Sequence, residues 1–333
     1  MKKLVVYRVI PDGLLAQLRA RFEVTYFASL HAGNRAAFDA ALRDAHGLLG
    51  SNETVDRALL EPARALQAIA TISVGFDNFD VDYLTGRGIL LLNTPDVLTE
   101  ACADTILALM LASARRLVEM ADWMRAGEWK SSVGPGQYGV DVHGKTLGIV
   151  GMGRIGQAAA RRARLGFGMP ILYHNRNAVP ALEAELGARL LPLDALLAQS
   201  DFVCVMLPLS AATDRLFGAR QFALMKRSAI FINAARGRVV DEPALIEALR
   251  DGTIYGAGLD VFEREPLPMD SPLLTLKNVV AVPHIGSATH EARYEMSRLA
   301  VDNIIAALEG TPQNVVNGAA LARRSALTGR GPA

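Results

Sequence analysis

Three polar stretches that each follow an apolar run hold the residues best suited to chemistry. "AIFINAARG" ends at Arg236 and Gly237, "YGAGLDVFEREP" carries Asp260 and Glu265, and "VVAVPHIGSATH" presents His284 directly after a proline. An arginine clamps a carboxylate through paired N–H donors and polarises the carbonyl next to it. A histidine gives or takes a proton, and a glutamate beside it stabilises the imidazolium, keeping the acid form populated near neutral pH. Each residue also has a plain reading: His284 as a hydrogen-bonded loop residue, Arg236 as a surface cation, Glu265 as one of the solvated charges of "EREP". As a set they can orient a carboxylate and protonate an oxygen on which negative charge develops.

A fourth stretch supplies a place for a cofactor. "TLGIVGMGRIGQAAARRA" spaces Gly151, Gly153 and Gly156 as GxGxxG between a strand-like run and an alanine-rich helical one. The first glycine permits the tight turn, the second lets a pyrophosphate approach the backbone, and the third lets helix and strand pack closely. Outside that context the pattern is only a turn; here strand and helix flank it as a dinucleotide site requires. The next run, "PILYHNRN", offers Asn175, Arg176 and Asn177 where an acid would meet a free ribose 2′-hydroxyl. A guanidinium pairs with a 2′-phosphate, so the expected cofactor is NADPH, with Arg176 as the phosphate partner and NADH as the less favoured choice. The alternative is a solvated turn arginine. Beside a nicotinamide, the Arg236, Glu265 and His284 set suits hydride transfer to a 2-keto acid.

Other chemistries fit less well. The six histidines form no HExxH, and His284 and His290 lack a third ligand in view, so no metal is expected. No GxSxG elbow is present. His31, His46, His143, His174 and His290 read as structural or solvent histidines.

The elements that must position these residues follow from the alternation of runs. "KLVVYRVI", "FEVTYF", "HGLLGS", "LQAIATISVG" and "GILLLNTP" alternate with helical patterns through the first third of the chain. After a long helical segment from about Thr99 and a polar turn at Gly144, a second series begins: "TLGIVGMG", "PILYHNR", "DFVCVMLPL", "AIFINAARG", "YGAGLDVF" and "VVAVPHIG". Nearly unbroken apolar strands separated by helices predict α/β architecture with parallel sheets covered on both faces. In such sheets ligands bind beyond the carboxyl ends of the strands, which would bring Arg236, Asp260 and His284 to one rim. The tail after about Gly318 carries little core material and is expected to fray.

At 333 residues the length prior favours two domains. A net charge of +1 with 21% charged residues gives no basic excess for nucleic acid or an anionic membrane, leaving a small-molecule partner. The longest apolar segment, Ile106 to Ala114, falls short of the roughly 18 to 20 residues that cross a bilayer. The opening "MKKLVVYRVIPDG" lacks a secretory apolar region, and Cys102 and Cys204 show no CxxC spacing, so the expected location is the cytoplasm.

"SVGFDNFD", "NTPDVLTEACAD", "GIVGMGRIGQ", "LPLSAATDRLF", "FINAARGRVVDEPAL", "GAGLDVFEREP" and "VPHIGSATHEAR" cover almost the whole chain in order. With them the sequence resembles the D-isomer-specific 2-hydroxyacid dehydrogenases; "GEWKSSVGPGQYGVDVHGKT", "GSNETVD" and "PILYHNRN" look like a bacterial subgroup of glyoxylate/hydroxypyruvate and 2-ketogluconate reductases. The resemblance implies Arg236, Glu265 and His284 as catalytic residues, Glu265 rather than Glu263 because it precedes Pro266. It implies Arg236 and the backbone amides near Val74 and Gly75 as holders of the substrate carboxylate. For the cofactor it implies Arg154, Ile155, Asn175, Pro208, Thr213, Ala234, His284 and Gly286 beside the three glycines and Arg176, with Asp260 on the nicotinamide side.

The implied fold is two doubly wound domains. Residues 1–98 plus 289–333 would form a discontinuous, flavodoxin-like substrate domain, and residues 99–288 a Rossmann-type dinucleotide-binding domain. The implied assembly is a homodimer. The implied reaction is NADPH-dependent reduction of glyoxylate, hydroxypyruvate or 2-ketogluconate to a D-2-hydroxy acid. Two alternatives share the fold: a dinucleotide-sensing, corepressor-like interaction protein, and a formate- or phosphite-type dehydrogenase. Against the first stand the lack of long low-complexity extensions and of a basic patch. Ser51 and Asn52 are candidates near the substrate tail, or equally turn formers.

Overall fold

Each apolar run folds as a short strand, and the interior strands are covered on both faces. The structure is a computed structural model and describes residues 1 to 328. The chain divides into two compact units: Met1–Leu98 together with the chain from Thr289 onward, and Thr99–Ala288.

The first unit holds β1 (Lys3–Val6), β2 (Glu23–Tyr26), β3 (Gly47–Gly50), β4 (Ala68–Thr71) and β5 (Leu90–Leu92), all parallel, in the order β2-β1-β3-β4-β5. This is the flavodoxin-like order, with its switch point between β1 and β3. Every residue of β3 and β4 is buried, whereas the edge strand β2 alternates exposed and half-buried positions. The sheet is covered partly by the helix His290–Leu308, which packs on β3, β4 and β5. Gly47 is small because it must be: a Cβ there would lie 2.9 Å from both Leu308 Cδ1 and Leu4 Cδ1.

Through Thr328 the chain continues as a helix, Gly318–Thr328, which corrects the expectation of a frayed tail there; the part of that expectation at 329–333 lies outside the described residues. Hydrogen bonds at and around its start secure it, and hydropathy gives no sign of them. Asn317, 3% exposed, donates to Ile89 O (2.9 Å) and Thr85 Oγ1 (3.2 Å) and accepts from Leu91 N (3.0 Å). Val316 N donates to Leu91 O at 2.7 Å, and Arg324 donates to the carbonyls of Thr85 and Gly86.

The second unit holds β6 (Leu147–Val150), β7 (Ile171–His174), β8 (Arg189–Leu190), β9 (Phe202–Val205), β10 (Ile230–Asn233), β11 (Gly256–Leu259) and β12 (Val279–Ala281). They form one parallel sheet ordered β12-β11-β10-β9-β6-β7-β8, a doubly wound Rossmann arrangement whose switch point lies between β6 and β9. β6, β9, β10 and β11 are buried throughout. The helix Thr99–Ala114 lies across β10, β11 and the helix Arg154–Phe167, and it buries Ile106, Leu109 and Met110 there. It ends where Arg116 turns left-handed (φ 53°) and a second helix, Leu117–Arg125, begins. The two-residue strand β8 is exposed and has no counterpart among the apolar runs of the sequence. Among the described residues no helix is long and apolar enough to cross a membrane.

Asn317→Ala strands the Leu91 N–H and the Ile89 carbonyl in a dry site. The expected loss is about 1–3 kcal/mol for the unmet partners, read as a lower urea midpoint with an unchanged slope.

Candidate active site

Six of the seven loops that leave the carboxyl edge of the seven-stranded sheet carry the residues singled out in this unit. After β6 comes the glycine loop. Gly151 has φ 103°, and a Cβ on it would lie 2.6 Å from Met206 O, so only glycine fits the turn. A Cβ on Gly156 would lie 2.6 Å from Gly151 O, which sets how closely the helix Arg154–Phe167 approaches the loop. Gly153 differs: nothing stands within 4 Å of its Cβ position, and as N-cap of that helix it offers no side-chain acceptor. The first N–H groups of the helix and its positive dipole end thus open onto clear space, an arrangement that fits a pyrophosphate. Arg154 is exposed and Ile155 half-buried at its start.

Arg176 is exposed just beyond β7, and Asn175 Nδ2 donates to Asn177 O at 3.0 Å, folding the turn beside it. After β9, Thr213 Oγ1 donates to Pro208 O (2.6 Å) and accepts from Ser210 N (2.8 Å), so the two predicted residues of this loop form one tight turn. After β10 come Ala234, half-buried, and Arg236. Asn233, 1% exposed, holds that turn from inside: its Nδ2 donates to Arg236 O (3.1 Å) and its Oδ1 accepts from Ala235 N (3.1 Å). Arg236 Nη1 donates to Ala235 O at 2.7 Å.

The loops after β11 and β12 are built around one another. Asp260, 1% exposed, accepts from Ile285 N (2.6 Å) and Gly286 N (2.9 Å) with its two carboxylate oxygens. Burial pushes its carboxyl up from the usual range, while the two N–H groups and His284 pull the other way. A Cβ on Gly286 would come within 2.9 Å of Asp260 Oδ2, so that glycine is required by the contact. His284 is thereby held left-handed, φ 53°, a conformation a non-glycine residue keeps only when its neighbours are pinned.

His284 Nδ1 meets Glu265 Oε2 at 2.8 Å, and the other oxygen, Oε1, accepts from Phe262 N at 3.1 Å. Burial raises the Glu265 carboxyl, but the hydrogen bond and charge of His284, the Phe262 N–H and the charge of Arg236 outweigh it and hold it below the ordinary range. Glu265 is therefore ionised at neutral pH. With Nδ1 engaged by the carboxylate, Nε2 is the ring nitrogen left for another partner.

In the first unit, Val74 and Gly75 follow β4 in a turn fixed by hydrogen bonds. Ser73 Oγ donates to Gly75 O (2.6 Å), and Asn93 Nδ2 donates to Val74 O (2.8 Å). Asn93 O accepts from Asn303 Nδ2 and Asn303 Oδ1 from Asn314 Nδ2, both at 2.9 Å, so a line of asparagines braces the turn. With both carbonyls engaged, neither the Val74 nor the Gly75 N–H has a protein acceptor among the described residues. Ser51 is buried beyond β3, and Asn52 is left-handed (φ 70°).

Sequence reasoning missed Asn233, the Asn93–Asn303–Asn314 line, and the grip of Asp260 on residues 285 and 286. For Asn233 a signal existed, a polar residue closing the apolar run "AIFIN"; for the others none did. Of the remaining histidines, His46 Nδ1 accepts from Lys3 N (3.1 Å) and His174 Nδ1 meets Leu191 O (2.9 Å), both structural contacts.

Comparison with known proteins gives this geometry its context. The family model described as D-isomer specific 2-hydroxyacid dehydrogenase, NAD binding domain, matches residues 107–286. A glyoxylate/hydroxypyruvate reductase B of Salmonella schwarzengrund (strain CVM19633) is 60% identical over 315 residues, covering 94% of this chain and 97% of its own. Two solved structures are also similar. A glyoxylate reductase from Paecilomyes thermophila has a TM-score of 0.86 at 34% identity, over 95% of this chain and 98% of that one. An NADPH-dependent glyoxylate/hydroxypyruvate reductase from Sinorhizobium meliloti, in complex with NADP and malonate, has a TM-score of 0.79 at 35% identity, over 92% and 93%.

Proposed function

The chain belongs to the D-isomer specific 2-hydroxyacid dehydrogenase family, and on that premise we propose that it is an NADPH-dependent reductase converting small 2-keto acids to D-2-hydroxy acids. The substrates in this reading are glyoxylate and hydroxypyruvate, the pair named in its relatives, and 2-ketogluconate, which shares their keto-acid head. The observation that carries it is the 2.8 Å contact between His284 Nδ1 and Glu265 Oε2, at the same sheet edge as the glycine loop and Arg236.

Arg236 grips the substrate carboxylate and draws electron density from the adjacent carbonyl. The Val74 and Gly75 N–H groups, which lack protein acceptors among the described residues, are the assigned backbone donors to that carboxylate. A reduced nicotinamide, when bound, supplies the hydride to C2. His284 Nε2 gives its proton to the carbonyl oxygen as charge builds there, and Glu265 steadies the imidazolium from the opposite nitrogen. Asp260 keeps the loop of His284 in place and lies on the nicotinamide side. Gly151, Gly153, Gly156, Arg154 and Ile155 receive the pyrophosphate, Pro208, Thr213, Ala234 and Gly286 line the rest of the cofactor, and Arg176 with Asn175 takes the 2′-phosphate. The absence of an acid at residues 175 to 177 supports NADPH over NADH.

The same reading makes the protein a cytoplasmic homodimer. Both cysteines are buried and neither is in a disulfide, and burial pushes the Cys204 thiol up to about 12, which suits a reducing compartment. For the dimer, Leu117, Met124, Trp129, Val133 and Tyr138 form an apolar face, each more than half exposed, and a second copy would cover it.

Steady oxidation of NADPH on addition of hydroxypyruvate is the expected outcome; a chain that binds NADPH but turns over none of the three acids fails the proposal. Arg176→Ala is expected to cut the NADPH-to-NADH ratio of kcat/KM by about tenfold, the worth of one charge-assisted pair; an unchanged ratio removes Arg176 from the phosphate site. For Glu265→Gln the sign is fixed by the proton donor. Reduction needs the imidazolium, and the interaction with His284 that helps hold the Glu265 carboxyl below its ordinary range favours that protonated ring in return, so removing the carboxylate weakens that preference. The basic limb of kcat/KM therefore moves to lower pH, and an unmoved limb contradicts the role. Light scattering of the pure protein should give a mass of two chains, and Trp129→Glu a mass of one.

A further inference from the structure

We propose that Glu242 is a positioning residue for the Glu265–His284 pair, acting through the backbone of residues 262 and 263; the inference rests on His284 being the proton donor. Glu242 opens the helix Glu242–Arg250, but the helix is already capped by Asp241, whose side chain accepts from Ala244 N at 3.2 Å. Glu242 has a different partner: its Oε2 accepts from Glu263 N at 2.9 Å, across a gap of 21 residues in sequence.

This carboxylate is half-buried, and burial pushes it up, with the Glu263 N–H opposing and the Glu263 carboxylate adding to the rise. A charge held at that disadvantage contributes little to solubility. Its contact falls on the peptide unit next to the one that matters for catalysis: Phe262 N directs Glu265 Oε1 at 3.1 Å and so leaves Oε2 for His284. Holding the 262–263 peptide plane in place restricts φ and ψ of Phe262, and through them the direction of the neighbouring Phe262 N–H.

A second set of contacts meets the same two residues. Gly237, directly after Arg236, has no room for a side chain: a Cβ would lie 1.8 Å from Phe262 C and O and 2.4 Å from Glu263 N. The arginine-bearing and glutamate-bearing segments therefore touch backbone to backbone. Outside them Arg215 Nη2 pairs with Glu263 Oε1 at 2.5 Å, while Arg215 N donates to Arg238 O at 2.7 Å. That exposed pair adds little energy. Glu242, half-buried like Glu263, joins a rigid helix to the peptide beside the one that aims Glu265.

The test uses the full-length enzyme with NADPH and hydroxypyruvate. Glu242→Ala is expected to lower kcat about tenfold, a part of the 10²–10⁴ that a placed general acid supplies. KM for the keto acid should change less than about twofold, NADPH affinity by fluorescence titration should be unchanged, and the basic limb of kcat/KM should shift to lower pH, as in Glu265→Gln. Glu242→Gln keeps an acceptor for Glu263 N–H and is expected to restore both kcat and the limb. If Glu242→Ala does not fold, Glu242→Asp carries the test, since it keeps the charge but stops one methylene short and should shift the limb likewise. A moved limb in Glu265→Gln with native kcat and limb in the Glu242 variant overturns the assignment and spares the proton-donor reading. An unmoved limb in Glu265→Gln overturns that reading and this inference with it.

Discussion

One buried carboxylate decides where the imidazole stands. Asp260 spends both oxygens on the adjacent N–H groups of Ile285 and Gly286, and the residue before them, His284, is left with φ 53° and nowhere else to go. A left-handed histidine is costly on its own, of the order of 1–3 kcal/mol. Two charge-assisted bonds to a carboxylate of 1% exposure are enough to hold it. Glu265 then needs only to be aimed, which the Phe262 N–H does. The Glu265–His284 pair is thus two backbone-anchored loops whose side chains meet, rather than two side chains that find one another.

That economy depends on the parallel sheet. Because β6, β7, β9, β10, β11 and β12 all point the same way, their carboxyl ends share one edge, and the loops that follow them are neighbours although 133 residues separate Gly151 from His284. Buried on both faces, the interior strands carry no chemistry of their own. Polar side chains there, such as Asn233, serve the loop that follows.

Much of this was legible in the residues. Runs such as "TLGIVGMG" and "AIFINAARG" announced buried parallel strands, and the glycine spacing at 151, 153 and 156 stated both a turn and the helix behind it. Arg236, Glu265 and His284 stood out because each is a polar residue following an apolar run. What escaped was of another kind. β8 is two exposed residues recruited at a sheet edge and has no hydropathy to betray it. The helix Gly318–Thr328 is held by Asn317 and Arg324 on carbonyls more than 200 residues away, and the Val74 turn is braced through Asn93, Asn303 and Asn314. Side-chain bonds to distant backbone have no period and no local motif, so no window of sequence records them.

The sheet of the first unit is completed by a helix made only after the whole second unit. The helix His290–Leu308 covers β3 and β4, and Asn303, Asn314 and Asn317 reach back to strand ends near Asn93 and Leu91. On a ribosome, the Thr99–Ala288 unit is contiguous and can close while the five earlier strands still show an open apolar face. The amino-terminal strands must therefore wait, uncovered on that face, until the whole of the Thr99–Ala288 unit and the helix after it have left the ribosome.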